Sequence, residues 1–220
     1  PTSPFYMAPE LLPDKYVDSY FRDHPHQNSL SEGISVNFNG SEPSHSVRDS
    51  ARQSEVNRIK RESKLEEISD QVDELVYSIL NIPQSARNNI RQEIFLRTAE
   101  DPEDREIPDP ESVPDVPENI DQQVKDLVHH FAMETVRKEP DGITPVQGAE
   151  DQADMLDRIV KRFEDAYGEH AEDRLIEVDE ILGSESATEE AYPNLRTFVE
   201  DDLFDYHVSR MENTPIIWKL

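Results

Sequence analysis

The stretch LEEISDQVDELVYSIL, residues 65–80, contains the clearest periodic pattern in the chain. Its apolar residues recur at alternating spacings of three and four, the period of one face of an α-helix. We therefore predict a long amphipathic helix from Val47 to Leu80. Its charged first part, residues 54–64, is expected to be an exposed extension that needs a partner to stay ordered. The apolar face comprises Leu65, Ile68, Val72, Leu75 and Ile79, and is widened by Val76 and Leu80.

A second helix is predicted directly after the first. Pro83 ends the long helix and suits the first turn of the next one, which carries Ile90, Ile94 and Phe95. Residues 47–99 are therefore expected to form a long amphipathic helix and a helical hairpin.

Two segments rich in proline flank this region. Residues 1–46 contain six prolines, two glycines and many Ser and Asn residues, which predicts a loop-rich lead-in with at most a short strand at residues 36–39. Residues 100–118 combine five prolines with many carboxylates, so we predict an extended acidic linker that forms neither helix nor central strand.

The second half of the chain is predicted to be a helical subdomain, residues 119–212. Gly168 and Gly183 follow two of its apolar stripes, as residues that end helices do. Residues 213–220 are expected to form a β-strand that enters a following domain. The predicted fold class is thus mainly α, with a loop-rich N-terminal segment and a terminal strand. The four stripes begin at Ile120, Met155, Leu175 and Leu195.

The charge balance excludes several classes of protein. Asp and Glu number 49 against 22 Lys and Arg, for a formal charge of −27, which argues against a free-standing protein that neutralises nucleic-acid phosphates. Arg outnumbers Lys, and the carboxylates are scattered over every segment. That pattern is typical of halophilic proteins, in which salt screens the self-repulsion. The alternatives are an acidic mesophilic protein and a nucleic-acid mimic.

The absence of cysteine excludes disulfides, Cys-ligated metals and a thiol nucleophile. No apolar run is long enough for a membrane helix, and the first residues lack the features of a signal peptide. We therefore expect a soluble, cytoplasmic protein with no membrane partner. The missing initiator Met and the apolar end, Ile216 to Leu220, suggest a piece of a longer polypeptide.

No residue of the sequence qualifies as catalytic, cofactor-binding or metal-binding. Neither GxGxxG nor GxxxxGK[ST] occurs, and there is no HExxH. The adjacent His129 and His130 point about 100° apart on a helix, so they are expected to be a surface or partly buried pair rather than a metal site. His24 and His26 lie in a polar loop without a third ligand, which favours solvated side chains.

Carboxylate pairs and the single tryptophan give no clearer signal. Pairs such as Asp201-Asp202 and Glu189-Glu190 are expected by chance among 49 acidic residues, and solvated faces explain them. Trp218 lies in an apolar run and is expected in a core or interface rather than as a stacking platform for a base.

Three segments resemble one family of enzymes. The run from Ile68 to Ile82, with Asp73-Glu74-Leu75-Val76-Tyr77 at its centre, resembles the "IDELVYELYGL" helix that follows the catalytic domain in large adenine-specific DNA methyltransferases of the Type IIG and BREX (PglX-like) phage-defence kinds. Residues 124–145 resemble the family's helix and "GI.P" passage, although residues 133–137 stand where its Gly-Arg pair is usual. Residues 204–220 are similar to its "F.DH...N.RPIYW.L" stretch, with Thr214 in place of Arg.

The resemblance, which covers residues 68–220, implies a helical connector within an S-adenosylmethionine-dependent enzyme that methylates the exocyclic amine of adenine in double-stranded DNA, with the base flipped out. The family's Gly-containing cofactor loop and Asn-Pro-Pro-Tyr motif do not occur in these 220 residues. This chain would therefore position the catalytic and target-recognition parts and bind no cofactor itself, in the company of further defence-system subunits. A halophilic archaeon would explain its charge. The alternative is an acidic, non-enzymatic interaction protein or DNA mimic.

Salt adaptation predicts that folding depends on screening. Helix content, followed by far-UV circular dichroism, should rise steeply between dilute buffer and molar KCl, because screening removes repulsion among the carboxylates. A response that stays flat across the same salt range contradicts the halophile interpretation.

Overall fold

The computed structural model describes residues 11–13, 42–98, 109–140, 143–148, 153–185 and 191–210. Helices account for 76% of them, and no β-strand occurs among them, so the predicted mainly α class is confirmed. The helices are α1 (Val47–Ile79), α2 (Gln84–Thr98), α3 (Ile120–Lys138), α4 (Met155–Tyr167), α5 (Ala171–Leu182), α6 (Pro193–Thr197) and α7 (Leu203–Arg210).

The chain divides into two compact units, residues 1–54 with 115–220, and residues 55–114. The boundary between the units falls within α1. We refer to them as the core unit and the α1–α2 unit.

Helix α3 is the centre of the core unit. It contacts α4 and α5, which also contact each other. The Phe131 ring lies edge-on to Phe163 of α4, with 4.9 Å between the ring centroids, and Phe163 stacks on Tyr167. Burying each such ring contributes about 1.5–3 kcal/mol, so this stack is a main source of stability. Five residues of α3 are completely buried: Val124, Leu127, Val128, Phe131 and Ala132.

Polar contacts attach residues near the N-terminus to helices α4 and α5 of this core. The Tyr167 hydroxyl donates to the Leu11 carbonyl oxygen over 2.9 Å. The Val47 amide at the start of α1 donates to Glu177 Oε2 of α5 over 2.6 Å. Because the first amides of a helix have no partner within it, the Glu177 carboxylate acts as a cap for α1. Arg174 donates to the carbonyl oxygen of His45.

Two helix ends follow the signals in the sequence. Asp154 accepts from the Asp157 amide over 2.8 Å, and Asp157 accepts from the Asp154 amide, which forms a capping box at the start of α4. Gly168 ends α4 with a φ of 59°, a conformation that favours glycine. The predicted helix end at Gly168 is confirmed.

A network of hydrogen bonds joins the end of α5 to the start of α6. The buried Asp179 carboxylate accepts from the Leu195 amide over 2.8 Å and from the Asn194 side-chain nitrogen over 2.9 Å. Asn194 also exchanges two hydrogen bonds with the backbone of Glu185. Its amide lies so close to Gly183 that a Cβ there would overlap it. Gly183 thus lets the two helices approach.

Helices α6 and α7 are joined without a break by one π-helical segment, Phe198–Asp202. The wider turn still keeps Leu195, Phe198, Val199 and Leu203 in the core. The predicted last helix therefore exists, but with an irregularity that the apolar spacing did not indicate.

In the α1–α2 unit, the two helices are joined by a turn at residues 80–83, where Asn81 has a φ of 50°. Next to the turn, Arg87 of α2 lies 2.9 Å from Glu74 of α1 and covers the Tyr77 ring. The predicted end of α1 near Leu80 and the start of α2 after Pro83 are confirmed.

The exposure of α1 agrees only in part with the expectation. Its charged first part, residues 54–64, was predicted to be exposed, and Lys60, Arg61 and Lys64 are exposed. Within the same range, however, Ser54 is buried and Ile59 is 2% exposed. The apolar face of the predicted amphipathic helix is exposed, with exposed fractions of 45–68% for Leu65, Ile68, Val72, Leu75 and Ile79. Of the first turns of α1, Val47 and Ala51 belong to the apolar core of the core unit.

The remaining predictions about the chain ends and the linker have mixed outcomes. The strand at residues 213–220 and most of the loop-rich lead-in lie outside the described residues. In the described part of the linker, Pro110–Ser112 forms one turn of 3-10 helix, capped by the Asp109 side chain. The expectation of no helix there was wrong by that turn, since proline fits a first helical position.

No described helix is long and apolar enough to span a membrane.

The close approach at Gly183 predicts a loss of stability in Gly183→Ala. The added Cβ would displace the Asn194 amide, which is held by its bonds to Asp179 and Glu185. We expect the free energy of unfolding, measured with urea, to fall by about 1–3 kcal/mol. The neighbouring exposed substitution Ser184→Ala is the control and should change it by less than about 0.5 kcal/mol. Equal stability of the two variants contradicts the contact.

Candidate functional site

A buried pair of histidines joins α3 to α7. His129 Nε2 lies 2.8 Å from His207 Nδ1, and the ring centroids are 5.2 Å apart. His129 is 5% exposed and His207 is completely buried. One ring nitrogen must donate a proton and the other must accept it, so the contact requires at least one neutral imidazole.

A polar network continues from this pair toward the surface. Asp126 Oδ1 accepts from the Tyr206 hydroxyl over 2.7 Å and from Arg210 Nε over 3.0 Å. Gln122 donates to the Tyr206 oxygen, and the Tyr206 ring stands edge-on to His129. Together these contacts fasten one face of α7 to α3. We call the set of six residues the α3–α7 clasp: Gln122, Asp126, His129, Tyr206, His207 and Arg210.

Burial controls the protonation of these groups. It lowers the pKa of His129 to about 4, with a smaller contribution from nearby His207, and it lowers the pKa of His207 as well. Burial and then the Asp126 hydrogen bond raise the pKa of Tyr206. At neutral pH the imidazoles of the pair are therefore uncharged and the Tyr206 hydroxyl keeps its proton.

The neighbouring His130 is also uncharged. Burial lowers its pKa to about 3, followed by the effect of the Arg137 charge. Its Nε2 lies 3.9 Å from Glu134 Oε1, but this contact is not an ion pair at neutral pH because the ring is uncharged there.

The geometry of the clasp indicates that it stabilises the contact between α3 and α7. A general base must reach a substrate, and the two imidazoles are almost or completely buried. Among the described residues, no three His, Asp or Glu side chains are grouped so as to hold a metal ion. The expected surface or partly buried pair at His129 and His130 is corrected: both rings are buried. His207 was missed, since only the fold brings it to His129.

Of the other candidate residues, the structure describes only Asp201 and Asp202. Asp201 and Asp202 are exposed in the π-helical segment, as expected for a solvated face. Glu189-Glu190, His24, His26 and Trp218 lie outside the described residues.

A second candidate site is an exposed row on α1, which we call the α1 stripe. Its exposed fractions are 65% for Leu65, 45% for Ile68, 51% for Val72, 60% for Leu75 and 68% for Ile79. A contiguous apolar row of this kind marks an interaction surface, because exposing it to water is unfavourable. Except for Leu65, this surface lies within residues 68–82, the segment that resembles the methyltransferase helix.

The other resemblance segments also have defined local structure. Residues 124–128 lie in α3, residues 143–145 lie after that helix without regular structure, and residues 204–208 lie in α7. Residues 141–142 and 211–220 lie outside the described part. In comparisons with family models, with curated proteins and with solved structures, the chain matches none of them.

The histidine pair predicts a specific dependence of stability on pH. Because the pKa of His129 is near 4 in the folded chain and near 6.5 when unfolded, the unfolded state binds more protons between these values. The contribution of the neutral pair to the free energy of unfolding is fully present above about pH 6.5, and it is lost as the pH drops toward about 4. Each proton involved contributes a slope of about 1.4 kcal/mol per pH unit. Urea unfolding at several pH values measures the slope.

A double-mutant cycle isolates the pair. His129→Phe and His207→Phe each leave one buried ring nitrogen without its partner and should cost about 1–3 kcal/mol at pH 7.5. The double variant should cost less than their sum and show a shallower pH slope, because both rings no longer titrate. Additive costs with an unchanged slope contradict the coupling.

Proposed function

We propose that this chain is a helical connector of an adenine-specific DNA methyltransferase of phage defence or restriction-modification. The observation that carries the proposal is the local structure of the segments that resemble that family. Residues 68–79 are helical, residues 124–128 are helical with an irregular passage later at 143–145, and residues 204–208 are helical. For the first two segments, the resemblance implies a helix and a helix followed by the "GI.P" passage.

The surfaces of the chain suit such a role. The α1 stripe offers an apolar surface for association, and the clasp holds α7 against α3. A packed helical core unit can hold a neighbouring part of an enzyme in a defined orientation, which the joint action of two parts on one base requires.

Methyl transfer itself is assigned to other parts of the polypeptide. S-adenosylmethionine supplies the methyl group in such enzymes, and the residues here do not fit it: the 220 residues contain six glycines and no GxGxxG loop. This chain's residues orient and connect, and no step of the reaction is derived from them.

The test compares two polypeptides. The complete reading frame that contains these residues should transfer a labelled methyl group to adenine in double-stranded DNA and bind S-adenosylmethionine by calorimetry. The 220-residue chain should do neither. Methyl transfer by the chain alone overturns the proposal, as does a complete reading frame without a cofactor loop and an Asn-Pro-Pro-Tyr motif.

The formal charge of −27 favours a second candidate, an acidic interaction protein or DNA mimic. A mimic occupies a basic site and binds it through long-range attraction, so its affinity falls steeply with salt. Tight binding of the chain to a DNA-binding protein at low salt, lost at high salt, together with an inactive reading frame, would select this candidate.

A further inference from the structure

The α1 stripe has the spacing of a coiled-coil seam. Leu65, Ile68, Val72, Leu75 and Ile79 alternate by three and four residues, so they occupy successive a and d positions of two heptads. All five side chains point to one side of a continuous helix and are 45–68% exposed. An a/d row of this width fits the narrow groove of a second helix better than a broad globular surface.

The charges of this segment are arranged around the seam. The e and g positions, which flank a seam and choose its partner, hold Ser69, Gln71, Val76 and Ser78. Every carboxylate of the segment lies at a b, c or f position, on the far side of the helix: Glu66, Glu67, Asp70, Asp73 and Glu74. In a chain of charge −27, an acidic row is thus kept away from this face.

We propose that the α1 stripe binds the α1 stripe of a second copy of this chain as an antiparallel two-helix coiled coil. Acidic flanks would select a basic partner, whereas uncharged flanks with an apolar seam are complementary to themselves. The acidic faces of the two copies then point outward, where salt screens them.

The antiparallel direction follows from the residues before the stripe. The next d and a positions toward the N-terminus hold Arg61 and Arg58. Arg58 is paired with Glu55 and Glu62 of its own helix. In a parallel pair, Arg61 of one copy would face Arg61 of the other next to the Leu65 layer, and like charges at that position repel. In an antiparallel pair with Ile68 opposite Ile79 and Val72 opposite Leu75, both arginines lie beyond the four apolar layers.

The first experiment measures association of the full 220-residue chain in molar KCl by sedimentation equilibrium over a range of concentrations. The apparent mass should rise from 25.4 kDa toward twice that value. Leu75→Glu puts a charge into the seam and should raise the dimer Kd by at least about tenfold. Leu80→Glu is the matched control. It introduces the same charge at another leucine, which is 63% exposed but lies outside the a and d positions.

The result that overturns the proposal is a chain that stays monomeric at every concentration, or a Kd that both variants raise equally. Circular dichroism of both variants should equal that of the original chain, which separates a lost seam from a lost helix. A stripe that is instead covered by another part of a longer polypeptide gives the monomeric result.

A second experiment tests the direction and uses the absence of cysteine in the chain. Under mild oxidation, a mixture of chains carrying Ile68→Cys with chains carrying Ile79→Cys should form the mixed disulfide dimer. Each variant alone should cross-link poorly. Efficient cross-linking of each variant with itself, without the mixed product, contradicts the antiparallel arrangement.

Discussion

The complete burial of one face of α3 is the constraint on which the core unit depends. Only 35% of the residues are hydrophobic, so a core must be built from few side chains. Here it is concentrated around Phe131 and Phe163, whose rings meet edge-to-face, and around α5 and the start of α1. Because the chain has few hydrophobic residues, each large core residue contributes a larger share of the stability than in a less polar protein.

Polar contacts stabilise the parts of the core unit that lie at the edge of its small apolar core. Asp179 caps α6, Glu177 caps α1 and the pair of His129 and His207 connects α3 to α7. Each of these bonds joins residues distant in sequence and is wholly or partly shielded from water, where hydrogen bonds are stronger than on the surface. Surface ion pairs such as that of Lys64 with Glu67 contribute little by comparison.

The helices could be predicted from the sequence because period and end signals are local. Gly168 and Pro83 lie where a helix ends or begins, and the apolar spacing determines the helices between. Which stripe becomes buried could not be predicted, since Leu75 and Phe163 lie in equally regular patterns and only tertiary packing separates them. The same holds for His207, which meets His129 through a contact across 78 residues. The spacing of the apolar residues does not predict the π-helical segment either.

The central claim is that this chain combines a packed helical core around α3 with an α1 stripe that requires a partner. Amide hydrogen exchange of the dilute chain in molar KCl, read helix by helix, tests it most directly, because protection reports local stability. The account predicts that amides of α3 and α4 exchange most slowly and that amides of residues 65–98 exchange much faster. Equal protection of residues 65–79 and α3 in the monomer would contradict it.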